Sequence, residues 1–134
     1  LDILEQHLPE IAYSSNMMDT ERIRYLTVNG RKTKLVELPI HWEMFDLPYF
    51  AFTFDPPIPP GQSRSARMDD VLKNWLYELE GARRFGTLFN LQLDPQAIGE
   101  QGRIFMLEEL LTEIQKAEDV WVATGEEIAA FFGA

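Results

Sequence analysis

The second half of the chain alternates between helical and strand-like segments, and this limits the possible folds more than any other feature. Met68, Val71, Leu72, Trp75, Leu76 and Leu79 recur at helical spacing, the stripe expected of an amphipathic helix. Asp69 and Asp70 stand near its start and Arg83 and Arg84 at its end, matching the helix macrodipole. Gly86 breaks it, and Phe89, Leu91 and Leu93 then alternate as a strand running into Asp94-Pro95. Ile104, Leu107, Leu110, Leu111 and Ile114 define a second amphipathic helix, with Glu108, Glu109, Thr112 and Glu113 facing water. Val120 to Ala123 reads as a short apolar strand, and Thr124 with Glu127 forms a capping box opening a last helix that holds Ile128, Phe131 and Phe132. Such alternation argues for an α/β fold of parallel strands with helices packed outside, either a barrel or a doubly wound sheet.

The first half is less regular. Leu1 to Leu8 reads as a helix ended by Pro9, and a chain that opens inside a helix, on Leu, is expected to be a portion of a longer polypeptide. Ile11 to Ser15 and Ile23 to Val28 have strand composition. Asn29-Gly30 is a turn signal before the apolar stretch Lys34 to Leu38, which predicts a hairpin. Pro39 to Phe54 is aromatic-dense and irregular. Asp55 to Ser65 holds four Pro and a Gly and is expected to be a surface loop.

At 134 residues, 46% hydrophobic and 12% aromatic, the chain has enough apolar surface to build a core. Its net charge of −10, from 22 acidic and 12 basic residues, repels phosphate backbones and anionic membrane surfaces, which argues against nucleic acid as a partner. No apolar run approaches the roughly 18 to 20 residues needed to span a bilayer, so no membrane association is expected either. The absence of Cys excludes disulfides and thiolate metal sites and is compatible with the cytosol or the cell envelope.

In architectures of this kind the chemistry sits at the carboxyl ends of the strands. Two clusters follow predicted strands: His41, Trp42, Glu43 and Asp46 after Leu35 to Leu38, and Asp94 after Leu91 to Leu93. Each has a bland reading beside the functional one. His41 lacks a second His or a Cys at metal-ligand spacing and fits a structural role. Trp42 and Tyr49 could form a sugar-stacking platform, or belong with Phe45, Phe50, Phe52 and Phe54 to a core. Asp46 could orient a catalytic partner or cap the next turn, and Asp94 before Pro95 reads locally as a turn residue.

Longer strings carry a resemblance. Tyr13-Ser14-Ser15, Leu35 to Pro39 running into His41-Trp42, Asp46, Pro48-Tyr49-Phe50, Leu93-Asp94-Pro95 with Ile98-Gly99, Gly102-Arg103, Met106 to Glu109, and Trp121 to Thr124 followed by Glu127-Ile128-Ala129 resemble the polysaccharide deacetylase family, also called carbohydrate esterase family 4. The match runs in unbroken order from about Ile3 to Phe132. It is closest to the branch acting on peptidoglycan-like sugars and on cyclic amides such as allantoin.

The resemblance implies that residues 1–134 are the C-terminal part of a distorted (β/α) barrel. In that family a divalent metal, usually zinc, is held by an Asp and two His and activates a water that attacks an amide carbonyl. The motifs supplying those ligands lie upstream in the family, so no metal ligand is expected in this chain and zinc would belong to a full-length parent. The implied function is hydrolysis of non-peptide carbon–nitrogen bonds, in N-acetyl groups of glycans or in small cyclic amides. Asp94 and Asp46 would be the catalytic residues, and Trp42, His41 and Tyr49 would bind substrate.

Three positions depart from the family pattern. Trp42 is followed by Phe45 and Asp46 where the family has two adjacent Asp, Glu100 replaces an Arg, and Asp94 stands where the family has a His as general acid. An Asp carboxyl, with a reference pKa near 4 against roughly 6.5 for imidazole, needs a rise of about three units, on the order of 4 kcal/mol, to replace His at neutral pH. The departures favour an alternative, a non-catalytic glycan-binding or scaffolding relative. An open sheet edge also raises the expectation of self-association.

Overall fold

Asn29 and Gly30, with φ of 50° and 76°, form the tight turn that suits a two-residue hairpin, because both central residues take the left-handed conformation matching strand twist. The turn joins β2 (Arg24–Val28) to β3 (Arg31–Glu37), antiparallel, with Val28 opposite Arg31 and Arg24 opposite Glu37. A register shift between Tyr25 and Thr27 marks a bulge. There Thr33 Oγ1 donates to the Leu26 carbonyl at 3.0 Å and accepts from Leu35 N–H at 3.1 Å, so the buried hydroxyl is satisfied. On the other side of β3, β1 (Tyr13–Ser14) pairs parallel, giving the sheet order β1-β3-β2.

The computed structural model describes residues 10–50 and 66–133. The helix expected over Leu1 to Leu8, the loop expected over Asp55 to Ser65, and Phe52 and Phe54 lie outside the described residues. Two compact units emerge, one made of the chain up to Ile40 together with Trp121 onward, the other of His41–Val120.

In the first unit Leu26, Val28, Leu35, Val36, Leu38 and Ile40 are buried. The last helix, α5 (Gly125–Gly133), meets β1. Its first residue, Gly125, lies against the Tyr13 ring, and a Cβ there would come within 2.5 Å of that ring, so a larger residue requires the exposed Tyr13 side chain to move. Further along, the ring of Phe132 sits 5.3 Å from that of Tyr25. The capping box forms as its sequence predicts: Thr124 N–H donates to Glu127 Oε2 at 2.7 Å, and Glu127 N–H donates to Thr124 Oγ1 at 3.2 Å.

The second unit contains a 3-10 turn (Trp42–Met44), α1 (Leu47–Phe50), α2 (Met68–Phe85), α3 (Pro95–Ile98) and α4 (Gln101–Lys116). Its core is Met44, Phe50, Val71, Leu72, Trp75, Ile98, Met106 and Leu110, each large side chain contributing about 1.5–3 kcal/mol on burial. α2 buries Val71, Leu72, Trp75 and Leu79 and ends where Gly86 turns left-handed and Thr87 N–H returns to the Ala82 carbonyl. α4 buries Met106 and Leu110, whereas Ile104 and Leu111 of its expected apolar stripe are exposed.

The mixed α/β architecture stands, but two expected strands need correction, and with them the run of parallel strands. Among the described residues Phe89 to Leu93 makes one parallel bridge, Phe45 with Gln92. Gln92 N–H donates to the Met44 carbonyl at 2.9 Å, Asp46 N–H donates to Gln92 at 3.3 Å, and the ladder stops there because the next amide, Asp94 N–H, bonds the Asp46 side chain instead. Val120 to Ala123 is not a strand, since none of its backbone groups meets a neighbouring strand among the described residues. Parallel pairing among the described residues is therefore limited to β1 with β3 and this bridge, and no closed barrel is formed by them. Pro39 to Phe50, read as irregular, contains the 3-10 turn and α1.

Candidate active site

Four of the sequence-selected residues follow one another along connected structure in the second unit. Trp42 opens the 3-10 turn and is 63% exposed, its ring 5.5 Å from that of Phe45 and tilted by 54°. Phe45 is the residue bridged to Gln92. Asp46 follows, 1% exposed, and its two carboxyl oxygens accept Asp94 N–H at 3.0 and 2.9 Å. Its carbonyl, not its side chain, receives Tyr49 and Phe50 N–H at the start of α1. Of the two readings of Asp46, the geometry has the side chain orienting a second residue while the backbone starts the turn.

Asp94 is half-buried and caps α3: Oδ1 accepts Gln96 N–H at 2.7 Å, with Pro95 in the first turn. Its local reading as a turn residue is thus realised. Oδ2 makes no hydrogen bond with the described residues, so among them one carboxyl oxygen works as a cap and the other is uncommitted.

Tyr49 is half-buried and its hydroxyl donates to the Glu43 carbonyl at 3.2 Å. That same carbonyl accepts Trp75 Nε1–H at 2.8 Å, and the two rings meet edge-on at 6.1 Å. Burial, with the nearby Glu43 charge adding to it, raises the Tyr49 hydroxyl above its usual pKa. Tyr49 therefore fixes the backbone of the turn that presents Trp42. His41 precedes that turn, its carbonyl accepting Met44 N–H at 2.9 Å. Its Nε2 is buried with no partner among the described residues. Arg103 completes the neighbourhood of α1 and α3, its guanidinium donating to the Ala97 carbonyl and lying 4.8 Å from the Phe50 ring centroid. Glu100 stands at the N-cap of α4 without using its side chain as a cap.

One buried acid escaped the sequence reading. Glu37, the last residue of β3, is 0% exposed, and its Oε1 accepts Asn16 and Met17 N–H at 2.8 and 2.7 Å. Its Oε2 has no partner among the described residues. The group lies at the carboxyl ends of the parallel pair β1 and β3, the end that carries chemistry in α/β folds. Its signal was a charged residue placed between Val36 and Leu38 in an otherwise apolar stretch. Beside it, Ser14 Oγ accepts Asn16 Nδ2–H at 3.0 Å and Ser15 Oγ donates to the Leu38 carbonyl at 2.7 Å.

No group of three or more His, Asp or Glu among the described residues is arranged to hold a metal ion, and no described helix is long and apolar enough to cross a membrane.

No family model matches the sequence, and no curated protein does. A solved structure does: the "putative polysaccharide deacetylase from Mycobacterium smegmatis" superposes with a TM-score of 0.76 at 30% identity over 90% of this chain. The chain is polysaccharide-deacetylase-like. It spans 40% of the length of that neighbour.

Proposed function

We propose that this deacetylase-like chain is the C-terminal portion of a distorted-barrel hydrolase acting on non-peptide carbon–nitrogen bonds, in N-acetylated glycans or small cyclic amides. The observation that carries the reading is the buried Asp46 carboxyl gripping Asp94 N–H through both oxygens, in a chain 30% identical to a solved deacetylase-type structure. In this reading Trp42 offers an exposed aromatic face to a sugar or amide ring. Asp46 is a positioning residue that fixes the Asp94 backbone. Asp94 Oδ2 holds the proton for the leaving nitrogen, its partner oxygen being committed to Gln96 N–H. A divalent metal such as zinc would polarise the amide carbonyl and activate water. The described residues offer it no ligand set, so no step here runs through it, and the proposal assigns its ligands to polypeptide outside them.

The role of Asp94 Oδ1 as a helix cap favours a second reading, a glycan-binding relative that does not hydrolyse. The two separate in one experiment on the protein in its native polypeptide context with zinc: acetate or amine release from N-acetylglucosamine oligomers, and ring opening of allantoin, compared with Asp94→Ala. Turnover falling about 100-fold or more in the variant supports catalysis by a proton donor at this position. Equal turnover rejects Asp94 as the acid. Glycan binding that Trp42→Ala weakens, with no turnover in either protein, establishes the binding relative.

A further inference from the structure

Asp46 and Asp94 each stand at the start of a helix too short to hold its own position. α1 and α3 have 4 residues apiece, about one turn, and a turn of that length is not stable without packing. The Asp46 carbonyl anchors α1 by accepting Phe50 N–H at 3.0 Å, and the Asp94 carbonyl anchors α3 by accepting Ile98 N–H at 2.9 Å. The Asp46 carboxyl then joins the two starts through Asp94 N–H. The far ends of the same two helices are joined by Arg103, in the first turn of α4. Its guanidinium donates to the carbonyl of Ala97 in α3 and lies 4.8 Å from the ring centroid of Phe50, the last residue of α1.

These contacts close a circuit within the second unit. The Asp46 carboxyl holds Asp94 N–H, Asp94 starts α3, the Ala97 carbonyl near the end of α3 accepts Arg103, the Arg103 guanidinium lies over Phe50, and Phe50 N–H returns to the Asp46 carbonyl. Ala97 and Phe50 are both buried. Carbonyls in the last turn of a helix have no partner inside it, and a charged donor binds one more strongly than a neutral donor does. The cation also gains from the face of an aromatic ring. A planar guanidinium can serve both partners at once, donating from its edge while its face meets a ring, whereas an ammonium is a point charge. α4 brings a firm support to the circuit, since its Met106 and Leu110 are part of the core that Trp75 and Phe50 share.

We propose that Arg103 is a positioning residue for the candidate active site: by fixing the far ends of α1 and α3 against α4, it keeps Asp94 N–H in the grip of the Asp46 carboxyl. It touches neither substrate nor the reacting atoms and acts through the two short helices. The structural half of the inference stands without the hydrolase reading; its effect on turnover rests on that reading.

Hydrogen exchange and steady-state kinetics, on the protein in its native polypeptide context with zinc, test both halves. Arg103→Met keeps an apolar stem and removes donor and charge. The Asp94 amide is expected to exchange at least about tenfold faster in this variant, with the amides of Trp75 and Leu110 changed by less than about twofold. Arg103→Lys should restore part of the protection; if Arg103→Met does not fold, Arg103→Lys carries the comparison, with at least about threefold faster exchange at Asp94. Leu79→Ala, which opens a cavity in α2 outside the circuit, controls for general loosening and should give the reverse pattern, with Trp75 and Leu110 accelerated and Asp94 not. Because Asp46 and Arg103 act on one circuit, Asp46→Ala combined with Arg103→Met should exchange at Asp94 no more than about threefold faster than the faster single variant. On N-acetylglucosamine oligomers Arg103→Met should lower kcat about tenfold and leave KM within about twofold. Unchanged exchange at Asp94, the same pattern in Leu79→Ala, or effects that multiply in the double variant overturns the proposal. A raised KM with kcat unchanged overturns it in favour of a substrate contact. An unmodified protein with no turnover sinks the hydrolase reading alone, and the exchange comparison still decides the positioning role.

Discussion

Asp46 shows how far a single side chain can be read. It is almost wholly buried, and the only hydrogen bonds its carboxyl makes among the described residues come from one backbone N–H, that of Asp94. Removing it has two opposing effects on stability: the cost of burying a polar group is relieved, and an amide donor loses its acceptor, each worth about 1–3 kcal/mol. Global stability of Asp46→Ala is therefore a poor readout. The local one is sharp: the Asp94 amide should exchange with solvent about tenfold faster or more in Asp46→Ala, with a smaller change in Asp46→Asn, which keeps an acceptor; an unchanged rate would mean that the carboxyl does not hold this position. Trp75 provides a companion case. Trp75→Phe removes the Nε1–H donor to the Glu43 carbonyl and part of a fully buried volume, and should cost about 2–3 kcal/mol in urea denaturation. Tyr49→Phe removes a longer bond to the same carbonyl at a more exposed site and should cost well under half as much. In the sequence Trp42, Asp46 and Asp94 follow strand-like segments, which led to the expectation that they share one rim. The sequence could not show that Asp46 binds the backbone of Asp94 and not its side chain, because the two are 48 residues apart in sequence and meet through long-range pairing, the Phe45–Gln92 bridge among it. Glu37 was missed for a related reason: a buried acid is recognisable only once the amides of Asn16 and Met17 are seen to reach it.

Elements whose signals are local were legible, and elements that depend on a distant neighbour were not. The Asn29-Gly30 hairpin, α2 with its charged ends and Gly86 stop, and the Thr124–Glu127 box all arise within a few residues. Strand composition at Leu91 to Leu93 and at Trp121 to Ala123, by contrast, creates a strand only where another backbone lies alongside, and apolar alternation alone contains no information on that. The capping box carries a pH dependence whose direction is fixed. Hydrogen bonds from the Thr124 backbone, then from its hydroxyl, hold the Glu127 carboxyl below its ordinary value of 4.5. A folded value lower than the unfolded one means that the cap's stabilisation is complete above the unfolded value and is lost as pH falls through the folded value. A carboxyl-detected titration should therefore place Glu127 below 4.5, and protection of the Thr124 amide should fade over the same acid range. In Glu127→Gln that protection should be independent of pH; a titration at or above the ordinary value would contradict the box.

At the scale of the whole chain, charge imbalance decides the response to salt. The ion pairs among the described residues are mostly exposed: Arg24–Asp19 at 2.7 Å, Arg83 with Glu80 and Asp119 at 3.0 and 2.9 Å, Lys116–Glu113 at 2.6 Å, and the looser contacts of Arg67 with Asp69 and Asp70 at 3.8 Å. Each such pair contributes about 0–1 kcal/mol, and salt weakens it. Against them stands a net charge of −10, whose self-repulsion opposes the folded state and is also screened. The repulsion acts over longer distances than the contacts, so it is the first to be screened as the Debye length falls from about 30 Å at 0.01 M salt to about 8 Å at 0.15 M. Relief of repulsion should then exceed the loss from the pairs. Raising sodium chloride over that interval at pH 7 is expected to raise the thermal midpoint by about 2–4 °C, equivalent to roughly 1 kcal/mol for a chain of this size. Arg83→Gln should leave the slope positive while lowering the midpoint at every salt concentration. A midpoint that falls with salt in the unmodified protein would show that the few close pairs outweigh ten uncompensated charges, and would direct attention to Arg83, which joins two acids at once.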